Sequence, residues 1–101
     1  MATLYVSEFV SIAGTGNFAI AAAQVTPVAE QTITISGVST PSAAFNANTR
    51  FVRVHCDAIC SLAWGTNPTA TTGKMRMAAN QTEYFGIPLG NNYKVAVITN
   101  T

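Results

Sequence analysis

From residue 49 to the end of the chain, short alternating apolar–polar segments are separated by turn residues. This constrains the fold more than any other feature. A period of two sends successive side chains to opposite faces of a strand. Over residues 49–56 it places Phe51, Arg53 and His55 on one face and Val52, Val54 and Cys56 on the other. Residues 59–64 set Cys60, Leu62 and Trp64 together. Residues 74–78 oppose Met75 and Met77 to Lys74 and Arg76, and residues 82–87 form a further strand. Residues 93–99 divide into Tyr93, Val95, Val97 and Lys94, Ala96, Ile98. Asp57-Ala58, Ala79-Asn80-Gln81 and residues 88–91 supply turns. Residues 65–73 form a long polar loop whose composition gives no drive to fold inward.

The first half reads less evenly. Residues 31–36 alternate cleanly, with Ile33 and Ile35 inward and Thr32, Thr34 and Ser36 outward, and Gly37 ends the strand. Residues 38–45 carry Pro41 and small side chains, which suits an edge strand. Asn46-Ala47-Asn48 is a turn signal. Near the start, Leu4, Val6 and Glu8 fall on one side and Tyr5, Ser7 and Phe9 on the other, so neither face is cleanly apolar. Residues 1–13 therefore read as a strand or an arm, with Gly14-x-Gly16 as a flexible joint. Residues 18–25 are Ala-rich but short, uncharged and close to Pro27, which favours an extended or irregular course over a helix.

The total is seven or eight short strands with turns every ~8–12 residues, the spacing of an all-β antiparallel sandwich. Strands that are each apolar on one face need two packed sheets. The expected organisation is one sandwich domain over residues 14–101 behind the N-terminal arm.

Only 9% of the 101 residues are charged, against about 25% in an ordinary soluble domain. The net charge of +1 creates no field for nucleic acid or an anionic membrane. It also weakens the repulsion that keeps copies apart, so assembly is expected. The first twelve residues lack a basic region, and the apolar stretch at 18–23 is far short of the ~20 residues of a spanning helix. The expectation is a protein made in a cytosol. Two cysteines are too few for a disulfide scaffold.

His55, Cys56, Asp57 and Cys60 are the only cluster of ligand-type side chains. A zinc site needs close to four convergent ligands, and a regular strand sends His55 and Cys56 to opposite faces. Two buried thiols and a surface histidine are the better reading, with no metal and no cofactor. One histidine, and an aspartate in a turn, make no nucleophilic set, so no enzyme is expected. Arg50, Arg53, Lys74 and Arg76 could gather with Phe51 and Tyr84 as stacking partners, as in single-strand binders. Their number is low, and solvated strand faces or subunit contacts are the expectation.

Residues 42–71, from Ser42-Ala-Ala-Phe to Asn-Pro-Thr-Ala-Thr71, together with Met77-Ala-Ala-Asn-Gln-Thr-Glu-Tyr-Phe-Gly-Ile, Lys94-Val-Ala-Val-Ile and the opening Met-Ala-Thr-Leu-Tyr-Val-Ser-Glu-Phe, resemble a family of small virion proteins of tailed bacteriophages. The resemblance covers most of the chain and is loosest over residues 14–30. It implies a decoration or cement protein on the outer surface of the head, bridging copies of the major capsid protein. It further implies a jelly-roll-like sandwich, assembly as a homodimer or homotrimer, and no catalytic residues. Leu4, Tyr5, Val6 and Phe9 of the arm, and Trp64, are the expected interface residues. A tail, neck or head-fibre base component is the nearest alternative. Another is a carbohydrate- or host-surface-binding module using Trp64, Tyr84 and Tyr93.

Overall fold

The computed structural model describes residues 2–15, 18–90 and 92–100. Among them are ten antiparallel strands and no helix: β1 Thr3–Phe9, β2 Ile12–Thr15, β3 Phe18–Ala23, β4 Ala29–Thr34, β5 Thr40–Pro41, β6 Phe51–Cys56, β7 Cys60–Gly65, β8 Met75–Met77, β9 Thr82–Gly86 and β10 Lys94–Thr99. The first sheet has the order β4-β1-β6-β9, the second β5-β10-β7-β8, and β2-β3 form a separate pair. The chain passes between the sheets from β4 to β5, β5 to β6, β6 to β7, β8 to β9 and β9 to β10. The result is an all-β, sandwich-like fold of two sheets whose neighbouring strands are seldom consecutive in the chain. The first strand, β1, lies between β4 and β6.

Alternation explains which faces meet. Leu4, Val6, Val52 and Val54 of the first sheet face Leu62, Val95, Val97 and Met77 of the second, and all are at most 1% exposed. Burying side chains of this size contributes roughly 1.5–3 kcal/mol each. Cys56 and Cys60 fill the same core as small apolar groups. Pro41 sits in β5, at the edge of its sheet, where a missing N–H costs no ladder bond. The turn between β8 and β9 has Asn80 at φ 60°, a left-handed conformation that Asn tolerates.

Of the two readings of the N-terminal segment, strand or arm, the strand is what forms. β1 lies between β4 and β6, with Val6 opposite both Gln31 and Val54. The sandwich thus begins at the start of the chain and not at residue 14. Glu8 shares the inward face with Leu4 and Val6 and is buried. Its Oε1 accepts from the Asn46 N–H and from Thr49 Oγ1, both at 2.7 Å, and its Oε2 accepts from Gln31 Nε2 at 3.4 Å. A buried carboxylate needs such partners.

The polar loop at residues 65–73 also departs from expectation. Ala70 is 2% exposed and packs against Ala63, Ala96 and Ile98 on the outer face of the second sheet. Ser39 Oγ accepts from the Ala70 N–H at 2.8 Å. Asn100 Nδ2 donates to Ser61 Oγ at 2.7 Å and to the Thr72 carbonyl at 3.2 Å. Hydrogen bonding, with one small apolar contact, folds this loop down.

β2 and β3 lie outside the two larger sheets. β2 and β3 pair as a hairpin that continues the β1–β4 ribbon, joined by the Gln24 N–H to the Ser11 carbonyl at 3.0 Å and the Val28 N–H to the Glu8 carbonyl at 2.8 Å. The molecule measures 47 × 27 × 21 Å. Gly14 is a strand residue paired with Ala19, not a joint; Gly16 lies outside the described residues.

Candidate functional site

The outer face of the first sheet carries the chain's most concentrated chemistry. β6 supplies Phe51, Arg53 and His55, the face its alternation predicts. Pairing with β1 sets Phe9 beside Phe51, Ser7 beside Arg53 and Tyr5 beside His55. Pairing with β9 sets Gly86, Tyr84 and Thr82 on the other side of the same three residues. Beyond β1, β4 adds Glu30 opposite Ser7 and Thr32 opposite Tyr5.

Neighbours within this lattice fix one another. The Phe9 and Phe51 rings stack at 5.3 Å, and Phe51 meets Tyr84 at 6.3 Å. Tyr5 leans on the His55 ring at 6.3 Å. His55 Nδ1 and Thr82 Oγ1 are 2.8 Å apart, which sets the imidazole plane. Ser7 Oγ donates to Glu30 Oε2 at 3.4 Å. The Arg53 guanidinium takes part in neither bond. Tyr5 and Tyr84 are 44% and 55% exposed, high for rings this large. Where the hairpin meets this face, a groove of about 470 Å³ runs between Ile12 and residues 21–23 on one side and Phe51, Tyr84, Phe85 and Gly86 on the other.

The residues singled out from the sequence divide accordingly. Of the expected interface set, Leu4, Val6 and Phe9 are buried within the subunit and present no surface to a partner. Of those four N-terminal residues, only Tyr5 is exposed. Trp64 is half-buried at one end of the sandwich, 5.0 Å from the Phe85 ring and 6.3 Å from Phe45, and its Nε1 has no partner among the described residues. Tyr93 packs against the same core. Of Trp64, Tyr84 and Tyr93, only Tyr84 stands as an open platform.

Arg53, Phe51 and Tyr84 do come together, whereas Lys74 and Arg76 belong with β8 in the other sheet. The gathering of basic residues is therefore not formed as one patch. Tyr5 is expected at an interface from the sequence, but its place beside His55 comes only from the β1–β6 pairing.

Cys56 and Cys60 are free and buried. Cys56 Sγ donates to the Ala78 carbonyl at 3.0 Å. Burial, and then the neighbouring Cys56, push the Cys60 thiol up to about 12. His55 faces out while Cys56 faces in, and among the described residues no three His, Cys, Asp or Glu side chains converge.

No protein-family model matches this chain, no curated protein matches its sequence, and no solved structure matches it.

Proposed function

We propose that this chain is a non-enzymatic structural protein of a phage particle, seated on the outside of the head, where it stabilises the assembled shell. The observation that supports this most is the hairpin. Residues 10–29 contain no charged side chain, yet β2 and β3 project as a two-stranded ribbon from a closed sandwich. Such a ribbon is marginal in water by itself, and both its edges offer unpaired backbone groups. Adding a strand from another protein satisfies those groups. The partner in this reading is the major capsid protein, with further copies of the chain as a homodimer or homotrimer. The protein is made in the host cytoplasm and resides on the capsid surface. It acts by mass action, since whatever binds only the assembled shell stabilises it. Many copies make modest individual contacts sufficient.

The test is to image particles by cryo-electron microscopy with the full chain and with a variant whose residues 14–20 are replaced by a tight two-residue turn. Regular density over the shell with the full chain, and its loss with the shortened one, is the expected result. Density confined to the tail or neck would overturn the head assignment. Undiminished shell occupancy by the shortened variant would overturn the role given to the hairpin.

A further inference from the structure

We infer that the outer face of the first sheet is a saccharide-binding site, and that its ligand is an acidic oligosaccharide whose sugar rings carry carboxylates. The inference rests on the arrangement of Tyr5, Arg53, His55 and Tyr84, and does not depend on which part of a particle holds the protein.

Three features select this ligand. The first is charge. Arg53 sits mid-face with Phe51 and His55 along its own strand and with Ser7 and Tyr84 across from it. The carboxylate of this face, Glu30, lies two strands away and accepts from Ser7. A planar guanidinium on a face shared with Phe51, His55 and Tyr84 is suited to grip a carboxylate through two parallel hydrogen bonds. The second is ring spacing. Tyr5 and Tyr84 are separated by two strand intervals across the sheet and two residues along it, so their Cα atoms lie about 12 Å apart. That leaves room between the platforms for the intervening part of an extended sugar chain, with Arg53 and His55 beneath it. Aromatic faces suit the C–H side of a sugar ring, and the tilted contacts to His55 and Phe51 limit how far the two tyrosines can swing. The third is the polar lining. Ser7, Thr32 and Thr82 add neutral hydroxyls to a flat strand surface, and each can donate and accept. A polyhydroxylated ligand uses such groups, whereas a purely apolar one would leave them unpaired.

An acidic polypeptide would satisfy the charge but not the ring spacing, and it is kept as an outcome of the test. The experiment is calorimetric titration of the full-length protein with a panel of oligosaccharides bearing galacturonate, glucuronate, mannuronate or sialate. Each is run beside its neutral counterpart, with poly-glutamate alongside. The expected result is saturable binding of at least one carboxylated member, tenfold or more tighter than its neutral counterpart. Arg53→Gln should erase that preference, and Tyr84→Ala should weaken carboxylated and neutral binding alike by about tenfold. Thr34→Ala, at the far edge of the sheet, should change neither. Unaltered thermal unfolding of each variant ties a loss to the face and not to the fold. Absence of binding across the panel overturns the inference, as does a preference that survives Arg53→Gln. Poly-glutamate binding as tightly as the best saccharide also overturns it, in favour of an acidic peptide.

Discussion

The two sheets of the sandwich finish their outer faces in opposite ways. The second sheet is roofed by the chain's own loop: Ala70 rests on Ala63, Ala96 and Ile98, and Asn100 ties the buried Ser61 to the Thr72 carbonyl. The first sheet has no such cover. Tyr5, Arg53, His55 and Tyr84 stand on it beside the hairpin. Both sheets bury their inner faces equally well, so the difference cannot come from the core. It comes from where the chain places its two spare segments. Residues 65–73 fold back over one sheet, whereas β2 and β3 extend away from the other. The contrast teaches that the open face is not a deficiency of apolar chain for a small domain. The chain had a segment in the right place and used it as a projecting ribbon.

The largest effect tests how much the open sheet matters to folding. Deleting residues 1–13 removes β1, the strand that holds β4 to β6. It takes Leu4 and Val6 out of the core and leaves Thr49 and the Asn46 N–H without Glu8. The expected outcome is a chain with no cooperative unfolding transition. A folded, merely less stable product would show that β1 is dispensable and that the sheet order overstates its role.

The next effect separates the two faces directly. Ala70→Asp puts a carboxylate under the roof of the second sheet, where burial without a partner costs about 3 kcal/mol. Tyr84→Ser, on the open face, should stay within about 0.5–1 kcal/mol. Chemical denaturation of the two variants side by side checks the contrast. Equal losses would mean that the roof is loose, or that the open face is braced by more than the ring contacts described. Trp64→Ala ranks just below Ala70→Asp. A fully enclosed Trp typically costs 3–5 kcal/mol when truncated; Trp64 is only half-buried against Phe45 and Phe85. About 2–3 kcal/mol is expected, and a loss below ~1 would detach Trp64 from the end of the core.

Much of this was legible from alternation, and the failures share a cause. The β6 faces, Ile33 and Ile35 in and about β4, the Cys60–Leu62–Trp64 face and the edge position of Pro41 all follow from local pattern. β1 was obscured by Glu8. A carboxylate on the same side as Leu4 and Val6 looks like a surface signal until Asn46 and Thr49, about forty residues on, are known to receive it. The loop at 65–73 was obscured because its attachment is one alanine and a few hydrogen bonds to Ser39 and Asn100. The hairpin gave no alternation to read, since residues 18–23 are an unbroken run of alanine and larger apolar residues. The site was half legible: Phe51, Arg53 and Tyr84 could be gathered on paper. Tyr5 could not, because nothing local states which strand lies beside β6.

The smallest effect sits at the corner where the first sheet hands over to the second. Cys56 ends β6 and Cys60 begins β7, and both thiols are enclosed. Burial, then the proximity of Cys56, raise Cys60 to about 12 in the folded protein, whereas an unfolded thiol ionises near ~8.5. The folded state therefore holds a proton that the unfolded chain gives up. This contribution to stability is fully present below the unfolded value and is lost as pH rises towards the folded one. The unfolding free energy of the wild type, read from urea titrations, should fall from pH 8 to pH 10.5 by more than that of Cys60→Ser, the excess being at most ~1.4 kcal/mol per pH unit. Iodoacetamide should leave the native thiol unmodified at pH 8 and react once urea is added. A native-state reaction at pH 8 would mean that the corner opens, and the two sheets would then be joined less firmly than their shared core implies.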